Sequence, residues 1–145
     1  MIADLLKRLT APEPQTLPDT DARIALGALL VRLARTDGDY AVTEIEQIDQ
    51  VLMRRYNLDQ GQAQALRAEC EALEGQAPDT VRFTRAIKDA VPYPERLGVI
   101  EAMWAIVLAD GIRDDQEDSL MRMVAPLLGI SDQDSHRARL RVSAG

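Results

Sequence analysis

Two stretches of this chain are apolar almost all round as helices, and this limits its fold more than any other feature. From Thr20 to Thr36, Ile24, Leu26, Leu29, Leu30, Val31 and Leu33 leave no polar stripe. From Pro94 to Ala109, Leu97, Ile100, Met103, Trp104, Ile106 and Val107 do the same, with Pro94 suited to a first helical turn. A helix without a polar face has to be surrounded by other helices. Amphipathic segments able to surround them are predicted over Glu44 to Tyr56, over Gln60 to Leu73 behind an Asp59 cap, and over Thr80 to Val91 behind Asp79. Two more follow, Gln116 to Leu128 and Asp132 to Val142, the latter capped by Ser131. Nothing alternates with period two and aromatic residues are only 3%. The prediction is an all-α single-domain bundle of seven to eight helices.

The two apolar helices also end alike. Asp37-Gly38 follows the first and Asp110-Gly111 the second, and in each case a Glu stands seven positions after the Asp, at Glu44 and at Glu117. Both following helices then stop near an apolar-polar pair, Leu58-Asp59 and Ile130-Ser131. This is a duplicated helix-corner-helix unit and predicts a pseudo-two-fold arrangement. Gly38 and Gly111 can take the left-handed conformation that ends a helix. Thr43 with Glu46, and Asp114 with Glu117, have capping-box spacing for the next helix.

Charge at these corners is only half explained by helix ends. Glu44 and Glu117 fall in a first turn, where the macrodipole favours an anion, whereas Asp37 and Asp110 follow a helix carboxyl end, where it disfavours one by some tenths of a kcal/mol. A hard cation such as Ca²⁺ or Mg²⁺, which takes carboxylate oxygens, would offset this. The acids are concentrated to match: Asp37, Asp39, Glu44, Glu46 and Asp49 in one window, and Asp110, Asp114, Asp115, Glu117 and Asp118 in the other, ten of the 24 in the chain. An EF-hand loop is disfavoured, because its first two ligand positions would fall on Leu33 and Arg35, or on Ile106 and Leu108. The plain alternative is that Asp-Gly stops a helix, Glu starts one, and the other acids are a solvated face.

These residues resemble the tellurite-resistance TerB family: an apolar helix ending in Ala109-Asp110-Gly111, a Glu opening the next helix, and the same unit earlier with Thr36-Asp37-Gly38. The resemblance runs from Thr20 to Arg141 and includes Arg82-Phe83 and Tyr93-Pro94-Glu95-Arg96-Leu97. It implies a compact pseudo-two-fold helical fold, a bacterial stress or tellurite-resistance context, and an acidic metal-binding surface. By matching positions that surface falls on Asp37, Glu44, Asp110 and Glu117. Some relatives carry a J-domain and act as co-chaperones, but the His-Pro-Asp tripeptide does not occur in this sequence.

Composition narrows the remaining options. A net charge of −7 argues against a nucleic-acid binder, whose affinity comes from cations replacing phosphate counterions. An acidic surface suits cations and basic partners, and the resemblance implies that these include other stress-response proteins. Cys70 and His136 are the only residues of their kinds, so one chain can build neither a disulfide nor a Cys/His zinc site. Cys70 lies between Glu69 and Glu71, which raise a thiol pKa, and His136 lies among Arg137, Arg139 and Arg141. A catalytic role is therefore not expected. Trp104 and Met103, Met121 and Met123 sit at core positions. Glu101, inside the second apolar helix, is either buried and paired or reaches water through a gap.

No apolar run approaches the roughly 18 residues of a membrane span, and the first residues lack a secretory pattern, so a cytoplasmic protein is expected. Residues 1–19 read as an amphipathic helix (Ile2, Leu5, Leu6, Leu9) and a proline-rich linker, leaving 20–145 as the domain. The first helix either docks on the core or serves as an arm for a partner or for peripheral membrane contact. Two functions follow for the whole chain. One is a divalent-cation module; the other is a metal-independent scaffold using the acidic face and the terminal amphipathic helices.

Overall fold

The apolar helix at the centre of the first repeat, α2 (Asp19–Ala34), buries Leu26, Leu29, Leu30, Val31 and Leu33 almost completely. Its counterpart α6 (Tyr93–Ala109) buries Val99, Ile100, Met103, Ile106 and Val107. These features come from a computed structural model that describes residues 2–9, 19–36, 40, 42–77, 79–109 and 115–144. The other described helices are α1 (Ile2–Leu9), α3 (Val42–Tyr56), α4 (Gln60–Gln76), α5 (Thr80–Ala90), α7 (Asp115–Leu127) and α8 (Asp132–Ala144). The all-α expectation holds, with eight helices and no strand among the described residues.

The duplication is visible in the packing. Helix α2 packs on α3 and α4, α6 packs on α7 and α8, and α2 and α6 pack on each other, joining the two units. Each second helix closes in the same way. Asn57 takes a left-handed φ of 54°, and the Leu58 N–H reaches back to the Met53 carbonyl at 3.0 Å. Gly129 takes a φ of 75°, and the Ile130 N–H donates to the Ala125 carbonyl at 2.9 Å. This six-to-one bond satisfies a terminal carbonyl and turns the chain into the next helix. The residue after each apolar one then caps that helix: Asp59 accepts from the Gln62 N–H at 2.8 Å, and Ser131 from the Asp134 N–H at 3.1 Å.

Helix α1 docks on the core, with Leu5 and Leu9 buried and the helix packed against α4 and α5. Its apolar face is thereby used within the chain. The proline-rich linker lies outside the described residues.

Two local expectations fail. Helix α3 begins at Val42, so Thr43 is already inside its first turn and cannot cap it with Glu46. Met123 is exposed, because α7 buries Leu120, Met121, Val124, Ala125 and Leu128, and a residue two positions from Met121 lies about 200° round the helix.

Candidate functional site

The two glutamates of the repeat occupy the same helical position. Glu44 is the third residue of α3 and Glu117 the third residue of α7, where unpaired N–H groups and the dipole favour a carboxylate. Glu44 is half-buried. Of Glu117 only the backbone is described, and Asp37 and Asp110 lie outside the described residues, as does the Asp114 cap expected for α7.

What the described residues fix is the position of the helix ends flanking both corners. Helix α3 runs antiparallel to α6. At one end the Arg55 guanidinium donates to the Glu95 carbonyl at 3.4 Å and lies over Gly98; at the other, Thr43, Glu46 and Gln47 share a groove with Ala105 and Ile106. The first turn of α3, carrying Glu44, therefore lies beside the last turns of α6, directly before Asp110.

The two corners differ in electrostatic support. Arg32, in the last turn of α2, and Arg35, directly after it, both pair with Glu74 of α4, at 4.0 and 3.3 Å, which places cations where a helix carboxyl end favours them. The last turn of α6 contains no basic residue. Arg35 also lies over the Tyr40 ring, 4.9 Å from its centroid. The Tyr40 hydroxyl is buried and makes no hydrogen bond of normal geometry, although Glu71 lies beside it. Burial first and the Glu71 carboxylate second raise its pKa, so this phenol stays protonated. The sequence reading overlooked Tyr40. Its signal was an aromatic residue placed directly after Asp37-Gly38-Asp39, and its ring packs against the core.

Other carboxylates counted in the acidic windows have separate roles. Asp49 is buried and accepts from Arg67 Nε at 2.6 Å, tying α3 to α4. Burial works against the Arg67 charge, but the bonds to Asp49 and Glu71 outweigh it and raise the Arg67 pKa. Glu101 pairs with Arg141 of α8 at 2.6 Å and is partly open to water, so it combines the two alternatives left open by the sequence. Among the described residues no three His, Cys, Asp or Glu side chains gather as a metal set.

Cys70 is fully buried against Gly27, and burial first, then Glu69 and Glu71, push its pKa up to about 12. The thiol stays protonated and serves as packing. His136 is exposed on α8. No described helix is long and apolar enough to cross a membrane.

A family model described as tellurite resistance protein TerB matches residues 23–140. Comparisons with curated proteins and with solved structures gave no significant match. The family match spans both central helices, both Asp-Gly corners and both caps of the duplicated unit, and covers most of the sequence. The chain therefore belongs to the TerB family.

Proposed function

We propose that this TerB-family protein is a non-catalytic, cytoplasmic module of a stress-response system of the tellurite-resistance type. In this reading it holds one hard divalent cation, Ca²⁺ or Mg²⁺, between its two acidic corners. Asp37, Glu44, Asp110 and Glu117 are the proposed ligands or ligand anchors. The supporting observation is that the start of α3 lies beside the end of α6, so that the chain leaves the first corner next to where it enters the second. An oxygen-only donor set suits a hard cation, which needs neither imidazole nor thiolate. The last turn of α6 carries no basic residue, so that helix itself supplies no compensation for a carboxylate following it, and a bound cation would supply it.

Calorimetry with CaCl₂ and with MgCl₂ tests this on the wild type, Asp37→Ala and Asp110→Ala, with circular dichroism confirming the fold. Saturable heat in the wild type that is lost in both variants is the expected result. A ligand at a hundred times its Kd should also stabilise the wild type by about 2.7 kcal/mol. Equal heats in all three proteins, or none in a folded wild type, would remove the cation and leave the acidic face as a surface for basic partners.

A further inference from the structure

A second surface, separate from the acidic corners, lies in the groove between α3, α6 and α8. Its floor is small and apolar, with Ala102 and Ala105 on α6 flanked by Val51 and Val142, and at its end the Arg55 guanidinium covers Gly98. Gly98, Ala102 and Ala105 recur at four- and three-residue spacing and so share one helix face. The rim is cationic. Arg54 and Arg55 come from α3 and Arg141 from α8, and the carboxylate lining the groove, Glu101, is bonded to Arg141. Arg54 has no ion-pair partner among the described residues. In a chain of net charge −7 this end of the groove is a local inversion of sign.

The groove continues along α3 towards Thr43 and Gln50, with Val51, Arg54 and Ala105 belonging to both stretches. From Gly98 to Ile106 the groove runs about 12 Å, a little over two helical turns. The walls are helices whose backbone groups bond internally, so they offer no edge to an extended peptide. A helix satisfies its own backbone and needs only side-chain contact, and an alanine floor lets it approach closely.

We infer that this groove docks an acidic amphipathic helix of a partner protein. Its small apolar face would lie on Ala102 and Ala105, and its carboxylates would meet Arg54 and the Arg55 guanidinium that covers Gly98, with Arg141 shared with Glu101. Opposite charge favours encounter and fixes the direction of the helix, with the acidic end away from Glu46. The inference does not depend on the cation reading, and its test is run in EDTA.

The probe is an 18-residue helical peptide with an Ala/Leu face and Glu on both flanks, compared with the same peptide carrying Lys for Glu. Titration into ¹⁵N-labelled protein should shift the amides of Val51, Arg54, Gly98, Ala102 and Ala105, and the effect should weaken as salt rises. Arg54→Glu should lower affinity about fivefold and Ala105→Trp about tenfold, without loss of helicity, and the Lys peptide should bind at least about tenfold more weakly. The inference is overturned if the acidic peptide shifts nothing in the groove at millimolar concentration, or if the Lys peptide binds as well. It also fails if Ala105→Trp binds normally, if the wild type self-associates through this face, or if phosphatidylglycerol vesicles occupy Arg54 while the peptide does not.

Discussion

Gly27 shows how closely the first repeat is packed. It lies in the middle of α2, where glycine costs about 1 kcal/mol relative to alanine, so Gly27→Ala would stabilise the helix if there were room. There is none. An added Cβ would lie 2.3 Å from the Cys70 sulfur, against an ordinary separation of about 3.5–4 Å between nonbonded carbons. The sulfur belongs to a short, fully buried side chain and cannot swing away. Overpacking of this kind costs about 1–3 kcal/mol, so Gly27→Ala should be destabilising by about 1–2 kcal/mol after the propensity gain.

Cys70→Ala alone removes a buried sulfur and should cost about 1–1.5 kcal/mol. In the double variant the new methyl enters the vacated space, and its closest neighbour becomes the β-carbon of residue 70 at 3.4 Å. The double variant should then equal or exceed the wild type, a coupling of about 2–3 kcal/mol between contacting residues. Urea unfolding followed at 222 nm should show each single variant with its midpoint lowered by roughly 0.5–1 M and the double variant restored. A stable Gly27→Ala, or a double variant as weak as the sum of the two, would refute this account of the α2–α4 contact.

The same burial predicts that Ellman's reagent labels Cys70 at pH 8 only after guanidinium unfolding; rapid labelling of the native protein would show the site to be open. Because folding raises the thiol pKa, the unfolded chain ionises first. Stability should be full below pH about 8.5 and fall by up to about 1.4 kcal/mol per pH unit as pH climbs towards 12, a loss absent from Cys70→Ala. Asp49→Ala should cost about 2 kcal/mol by leaving the partly buried Arg67 without its main partner, and Asp49→Ala/Arg67→Ala should cost less than the sum of the single changes. Additive losses in chemical denaturation would mean that the pair contributes little.

Most of the frame was legible because it is written locally. The helical periodicity, the caps at Asp59, Asp79 and Ser131, and the apolar-polar stops at Leu58 and Ile130 each concern residues within a few positions of one another. Thr43 failed as a cap because capping-box spacing does not by itself fix where a helix begins, and α3 starts two residues before the predicted Glu44. Contacts across the fold carry no such signal. Glu101 meets Arg141 over a separation of 40 residues, and neither periodicity nor composition links the two. Arg54, Arg55 and Arg141 gather at one groove only because α3 and α8 flank the same face of α6. The repeat was legible as a pattern, but the relative direction of α3 and α6, on which the candidate site depends, was not.

The two corners are also unequal in charge. Arg32 in the last turn of α2 and Arg35 directly after it stand beside Glu74, while α6 ends without a basic residue in its last turn. An aspartate following α6 should therefore feel the unfavourable end of the dipole more than one following α2. In EDTA, Asp110→Asn should raise stability by about 0.3–1 kcal/mol and Asp37→Asn by less, because removing a misplaced charge relieves repulsion. With saturating CaCl₂ the order should reverse: the wild type gains the binding free energy, and Asp110→Asn becomes the less stable protein. Thermal melts of the three proteins in both conditions decide the matter. If Asp110→Asn is destabilising in EDTA as well, Asp110 is held by partners within the protein, and the electrostatic reason for a cation at that corner disappears.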